Sequence, residues 1–245
     1  MNMLAPVKQN KLSEQVFEQL RDEILAKQYK AGDRLPAERE LCDVLQVNRG
    51  AVREALKKLE QARLIKIQHG SGSVVLDFST HAGFDMLGEM IMPGGEMDFI
   101  AVRGIFEFRA LIAPEAARLA ARRIQDSDLE KLAEIIDRIE VCPAADARDF
   151  QELDYEFYEI IVQASENLPI ILITNSVRDL YLRYKENFQI IFERSIEMRD
   201  EIYRPLMEAL GARDEERCRE LMHRLISQGN RAFFEKYFDM SGTQV

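Results

Sequence analysis

Apolar residues recur at helical spacing through Val16, Phe17, Leu20, Ile24 and Leu25, the pattern of a helix with one buried face. Ser13 stands where an N-cap is expected, and Gly32-Asp33 end the region in a turn. A second helix is predicted from Pro36, a residue suited to a first helical turn, to about Leu45. After a break at Gln46-Val47, Asn48 is a good N-cap for a third helix whose apolar face is Val52, Leu56 and Leu59. Beyond Ala62 the period changes to two. Leu64 to Ile67 read as a strand, Gln68-His69-Gly70-Ser71-Gly72 as a tight turn, and Ser73 to Leu76 as the returning strand. Three short helices followed by a hairpin make a winged helix-turn-helix.

From about Asp77 the strand signals stop. Residues 78–97 carry Gly83, Gly88, Pro93, Gly94 and Gly95, and read as a connector with a short helix. Helical segments follow near 98–123, 126–141, 146–166, 168–195, 196–211 and 213–238. Their breaks fall at Asp126-Ser127, either of which can cap the helix beginning there, at Cys142-Pro143, at Asn167-Leu168-Pro169 and at Gly211. The expected fold is mainly α. A winged helix-turn-helix with a small β-hairpin wing occupies 9–77, a connector 78–97, and a C-terminal antiparallel all-α bundle 98–240.

Composition narrows the class. With 47% hydrophobic residues among 245, the chain can bury sizeable cores. No apolar run approaches the roughly 20 residues needed to span a bilayer, so no membrane partner is expected. The first ten residues are broken by Pro6 and hold no apolar signal segment. Cys42, Cys142 and Cys218 lie far apart, which suits a reducing cytoplasm rather than a disulfide scaffold or paired-cysteine metal site. His69, His81 and His223 are too few for a histidine-rich metal centre.

The net charge of -10 is unevenly distributed. Residues 1–76 hold 13 Lys and Arg against 10 Asp and Glu, whereas 77–245 hold 20 against 33. A mildly basic front can approach phosphates while the acidic rear is kept off them. Asn48, Arg49 and Arg53 fall at the start of the third helix, the end of a recognition helix that enters the major groove. Arg49 can place a bidentate guanidinium on guanine O6 and N7, and Arg53 lies one turn later on the same face. Arg39, on the preceding helix, is placed for the backbone or a flanking base, and His69-Gly70 form the wing tip. Taken singly, each Arg is a solvated helix face; the winged-helix context is what raises it to a DNA contact. An isolated winged helix contacts little DNA, so a homodimer reading an inverted-repeat, double-stranded operator is expected.

No GxSxG, HExxH, P-loop or dinucleotide fingerprint is present, and Asp154 and Glu156 diverge on a helix, so an enzyme is not expected. An architectural DNA-binding protein is a further alternative, but it would need only the front module.

Leu35-Pro36-Ala37-Glu38-Arg39-Glu40-Leu41, Val47 through Leu56, Leu59, Leu64 and Ile67 through Ser73 together resemble the GntR family of bacterial transcriptional regulators. Many members carry Thr where this chain has Gly50. Farther on, Val102-Arg103, Glu107-Phe108-Arg109, Ala113 through Ala121, Leu153 through Tyr158 and Ala164-Ser165-Glu166-Asn167 resemble the helical ligand-binding domain of the FadR subfamily.

That resemblance implies a small-molecule effector. Many subfamily members hold a divalent metal with an Asp, a His four residues on and two later His. Here Asp154 matches the Asp, while Tyr158, Tyr203 and Arg224 stand at the His positions, so neither metal nor other cofactor is expected. With Arg109 and Tyr181, these residues are expected around a central cavity, as in the acyl-CoA-responsive members. The expected effector is metal-independent, acyl-CoA-like or otherwise anionic. The alternative is a metal-assisted sensor of small carboxylates.

Overall fold

The computed structural model describes residues 11–68, 71–83, 86–91, 97–143, 147–183, 186 and 199–241. The chain forms two compact units that divide between Ala101 and Val102.

In the first unit, α1 (Lys11–Leu25), α2 (Glu38–Leu45) and α3 (Arg49–Gln61) are followed by β1 (Ile65–Gln68) and β2 (Gly72–Val75). Val16, Leu20 and Ile24 of α1 pack with Val52, Ala55, Leu56 and Leu59 of α3, and Leu64, Ile65 and Val75 close the core from the hairpin. The strands are antiparallel, with Ile65 opposite Val75 and Gln68 opposite Gly72. Gly72 has φ +85°, which glycine reaches without Cβ strain.

Two local expectations shift, and one contact is added. Ser13 does not cap α1: the helix already includes Lys11, and Ser13 is buried inside it. α2 begins two residues after Pro36, at Glu38, with Ala37 as a cap that supplies no side-chain bond. The segment before α2 joins the sheet: Arg34 bridges to Val74, and the Leu35 N–H donates to the Ser73 carbonyl at 2.9 Å.

Two short helices, α4 (Phe78–His81) and α5 (Leu87–Ile91), follow the wing. Met86 is buried in the winged-helix core, Phe78, Ala82 and Met90 pack against it, and Arg21 pairs with Glu89 at 2.7 Å.

The second unit is built from α6 (Phe99–Arg123) from Val102 onward, α7 (Asp126–Val141), α8 (Ala147–Ala164), α9 (Leu168–Arg183), α10 (Arg199–Gly211) and α11 (Glu215–Ser241). Part of the helix expected over 168–195 lies outside the described residues. α6 buries Ala113, Ala116, Ala117, Ala120 and Ala121, small side chains that let neighbouring helices approach closely. Neither Asp126 nor Ser127 caps α7. Gln125 holds that position, and the Asp128 carboxylate accepts from its backbone N–H at 3.4 Å. Asn167 opens α9 by accepting from the Ile170 N–H at 3.3 Å. The C-terminal carbonyls of α6 are satisfied across the unit: Arg213 donates to Ala121 at 3.1 Å and to Ile124 at 2.9 Å. Among the described residues no helix is long and apolar enough to cross a membrane.

Candidate DNA-reading face and effector site

The candidate DNA face is built on the α2–α3 turn. Gln46 ends α2 in the left-handed conformation, and the chain re-enters helix at Arg49. Asn48 Oδ1 accepts from the Ala51 N–H at 2.9 Å, so this residue fixes the start of α3. Asn48→Ala is expected to cost the first unit about 1 kcal/mol, measured by thermal melting.

Gly50 sits beside that cap. A Cβ built there would lie 3.2 Å from Asn48 Oδ1. Gly50→Ala should therefore recover about 1 kcal/mol of helix propensity in the Asn48→Ala background, and less when the cap is intact. Equal gains in both backgrounds would show that the contact does not matter.

Arg49 and Arg53 share one face of α3, with side chains 68% and 58% exposed. Both Nε atoms reach one carboxylate oxygen of Glu38, at 3.3 Å from Arg49 and 2.8 Å from Arg53. The hydrogen bond from Arg53 is the main influence holding the Glu38 pKa below its ordinary value, against a smaller opposing effect of burial. Reading the sequence missed Glu38, because an acidic residue at a helix N-terminus is explained by the helix dipole alone. Arg39 follows it on α2 and is exposed. His69 and Gly70 lie outside the described residues; the Ser71 N–H donates to the Gln68 carbonyl at 3.0 Å.

In the second unit, α6, α8, α9 and α10 bring a polar cluster together. Asp154 of α8 is 5% exposed, and Tyr203 of α10 is 1% exposed. The Tyr203 hydroxyl donates to Asp154 Oδ1. Its ring packs edge-on against Phe157 and Phe150, with centroids at 5.0 and 5.9 Å. Burial pushes the Asp154 pKa up, while the Arg109 charge and the Tyr203 hydroxyl oppose that shift. Arg109 of α6 lies over the Tyr158 ring at 5.8 Å. Burial also raises the Tyr158 pKa, against the Arg109 charge and a hydrogen bond with Thr174 of α9.

Thus Arg109, Asp154, Tyr158 and Tyr203 meet, joined by Thr174, Phe150 and Phe157. These three escaped the sequence reading, because Thr and Phe on amphipathic helices carry no distinguishing pattern. Arg224 is held elsewhere: on α11 it pairs with Glu201 at 3.0 Å, and both side chains are substantially exposed. Tyr181 belongs to α9, but its side chain lies outside the described residues.

The donor set does not fit the Asp-His-His-His metal centre. Only Asp154 is of the right ligand type, burial favours the protonated phenol of Tyr158, and the Tyr203 hydroxyl donates to Asp154. A guanidinium, a buried carboxyl and two phenols instead offer hydrogen-bonding groups suited to a polar organic molecule, with aromatic rings packed beside them.

Comparisons with known proteins agree with these two units. The profile described as bacterial regulatory proteins, gntR family, matches residues 12–75, and the FCD domain profile matches residues 104–228. The HTH-type transcriptional regulator Mce2R of Mycobacterium tuberculosis is 34% identical over 178 residues, covering 73% of each chain. The fatty acid metabolism regulator protein of Escherichia coli is 32% identical over 160 residues, 65% of each chain. A solved structure of Lar from Listeria monocytogenes covers 94% of this chain and 99% of its own at 17% identity, with a TM-score of 0.56, and so shares the fold. These matches are to transcriptional regulators rather than enzymes. The chain belongs to the GntR family of bacterial regulatory proteins, as a ligand-responsive, DNA-binding transcriptional regulator with an FCD effector domain.

Proposed function

We propose that this regulator binds an inverted-repeat operator as a homodimer in the cytoplasm and is released by a metal-independent, anionic effector with an apolar chain. Long-chain acyl-CoA is the leading candidate. Arg49 reads guanine in each half-site, Arg53 and Arg39 support it, and the wing tip expected at His69-Gly70 approaches the minor groove or the sugar-phosphate backbone.

The observation carrying the effector assignment is the cluster of Arg109, Asp154, Tyr158 and Tyr203 drawn from three helices. Arg109 can pair with an anionic head, the phenols can hydrogen-bond a thioester or phosphate oxygen, and Phe150 and Phe157 offer apolar wall. The similarity to the Escherichia coli fatty acid regulator supports the same class. Because Asp154 and Tyr203 are bonded to each other inside the bundle, a ligand that takes either partner breaks a contact between α8 and α10. That supplies a route from occupancy to helix position.

The effector must bind the DNA-free arrangement more tightly, and a difference of about 100-fold, about 2.7 kcal/mol, is enough for a working switch. The test is operator binding titrated with acyl-CoA, with and without chelator. Release in both conditions is expected. No release by any acyl-CoA would defeat the assignment, and release abolished by chelator would favour the metal-assisted carboxylate sensor.

A further inference from the structure

We propose that Glu38 is a specificity-determining positioning residue that holds the Arg49 and Arg53 guanidinium groups in a base-reading geometry. This rests on the reading of Arg49 as a base contact.

The three residues come from two helices across the turn. Glu38 is the first residue of α2, while Arg49 and Arg53 are successive same-face positions of α3. One carboxylate oxygen of Glu38 serves both arginines, and both approach it through Nε. An arginine can recognise a two-acceptor target through its Nε edge or through its two terminal nitrogens. Occupation of Nε leaves the terminal fork, since both hydrogen bonds to Glu38 run through Nε and not through the terminal nitrogens. That fork matches guanine O6 and N7 end-on. Glu38 therefore removes one binding mode from each arginine and holds two long side chains whose freedom would otherwise be lost on binding.

Stability does not explain the arrangement. Both arginine side chains are more than half exposed, and ion pairs in that setting add little to folding. A carboxylate on a DNA-facing surface also repels phosphates. That repulsion weakens binding to any sequence, and specificity is the difference between binding the right sequence and all others. The carboxylate therefore trades general affinity for discrimination. It stays ionised at neutral pH, because its arginine partners hold its pKa down.

The experiment compares the full-length protein with Glu38→Gln and Glu38→Asp on operator and on unrelated duplex across a salt series, with melting curves as a folding control. For Glu38→Gln the ratio of specific to nonspecific affinity is expected to fall about tenfold. Nonspecific binding should tighten, and its salt dependence should steepen by about one counterion per half-site. Glu38→Asp keeps the charge but shortens the reach. Its nonspecific affinity should match wild type while the ratio still falls, which a purely electrostatic or structural role would not produce. An unchanged ratio in Glu38→Gln, parallel loss of both affinities, or full specificity in Glu38→Asp would overturn the proposal. Arg49→Ala belongs in the same titration. If it leaves base preference intact, the base-reading assignment and the Glu38 role fall together. If it removes base preference while Glu38→Gln does not, only the Glu38 role falls.

Discussion

Arg49→Ala is expected to weaken operator binding by about 1–3 kcal/mol for each bidentate arginine–guanine pair it removes, and so by about 2–6 kcal/mol where two half-sites are read. The effect should be confined to the cognate sequence. Arg49 lies at the N-terminal end of α3 with most of its side chain in solvent, so its removal leaves no cavity and should not shift the melting temperature. Competition with operators substituted one base pair at a time gives the decisive reading. Wild type should discriminate sharply at one position per half-site, and the variant should not. Uniform weakening across all duplexes, with base preference intact and a shallower salt dependence, would make Arg49 a phosphate contact instead.

Tyr203→Ala is expected to destabilise the second unit by about 3–5 kcal/mol, the range for deleting a buried aromatic side chain. It removes a fully buried ring from its packing against Phe150 and Phe157 and strips Asp154 of its hydroxyl donor. Tyr203→Phe separates these effects, keeping the ring and removing only the hydrogen bond, at an expected cost of about 1–3 kcal/mol.

Asp154 adds a dependence on pH. Its pKa is raised in the folded protein, chiefly by burial, so the native state holds this proton more tightly than the unfolded state. Its favourable contribution is therefore fully present below the unfolded carboxylate pKa and is lost as pH rises through the native one. Asp154→Asn keeps an oxygen that can accept from Tyr203 and removes the titration. Melting temperatures measured from about pH 4 to about pH 8 should show wild type losing stability relative to Asp154→Asn as pH rises. Parallel curves would mean that the carboxyl titrates as an exposed one.

Much of the architecture was legible in the sequence because it follows from local rules. The spacing of Val52, Leu56 and Leu59, with Asn48 as the cap, determined α3 and hence which arginines lie at its start. The change to period two after Ala62 marked the wing, and the expected span 126–141 is the span of α7. Asp154 and Tyr158 were readable as one turn of one helix face.

Other features depended on residues far apart in the chain. Pairing of Arg34 with Val74 and burial of Met86 against the winged-helix core needed the hairpin already in place. Capping of α6 by Arg213 spans about ninety residues, a contact that no periodicity encodes. The same applies to the site. Local pattern put Tyr203 and Arg224 on apolar-striped helices, but helix packing turned Tyr203 onto Asp154 and left Arg224 with Glu201. Glu38 gained its place between two arginines only when α2 and α3 crossed. Periodicity fixes which side of a helix is apolar, whereas the partner of a polar side chain is chosen by the rotation and crossing of whole helices.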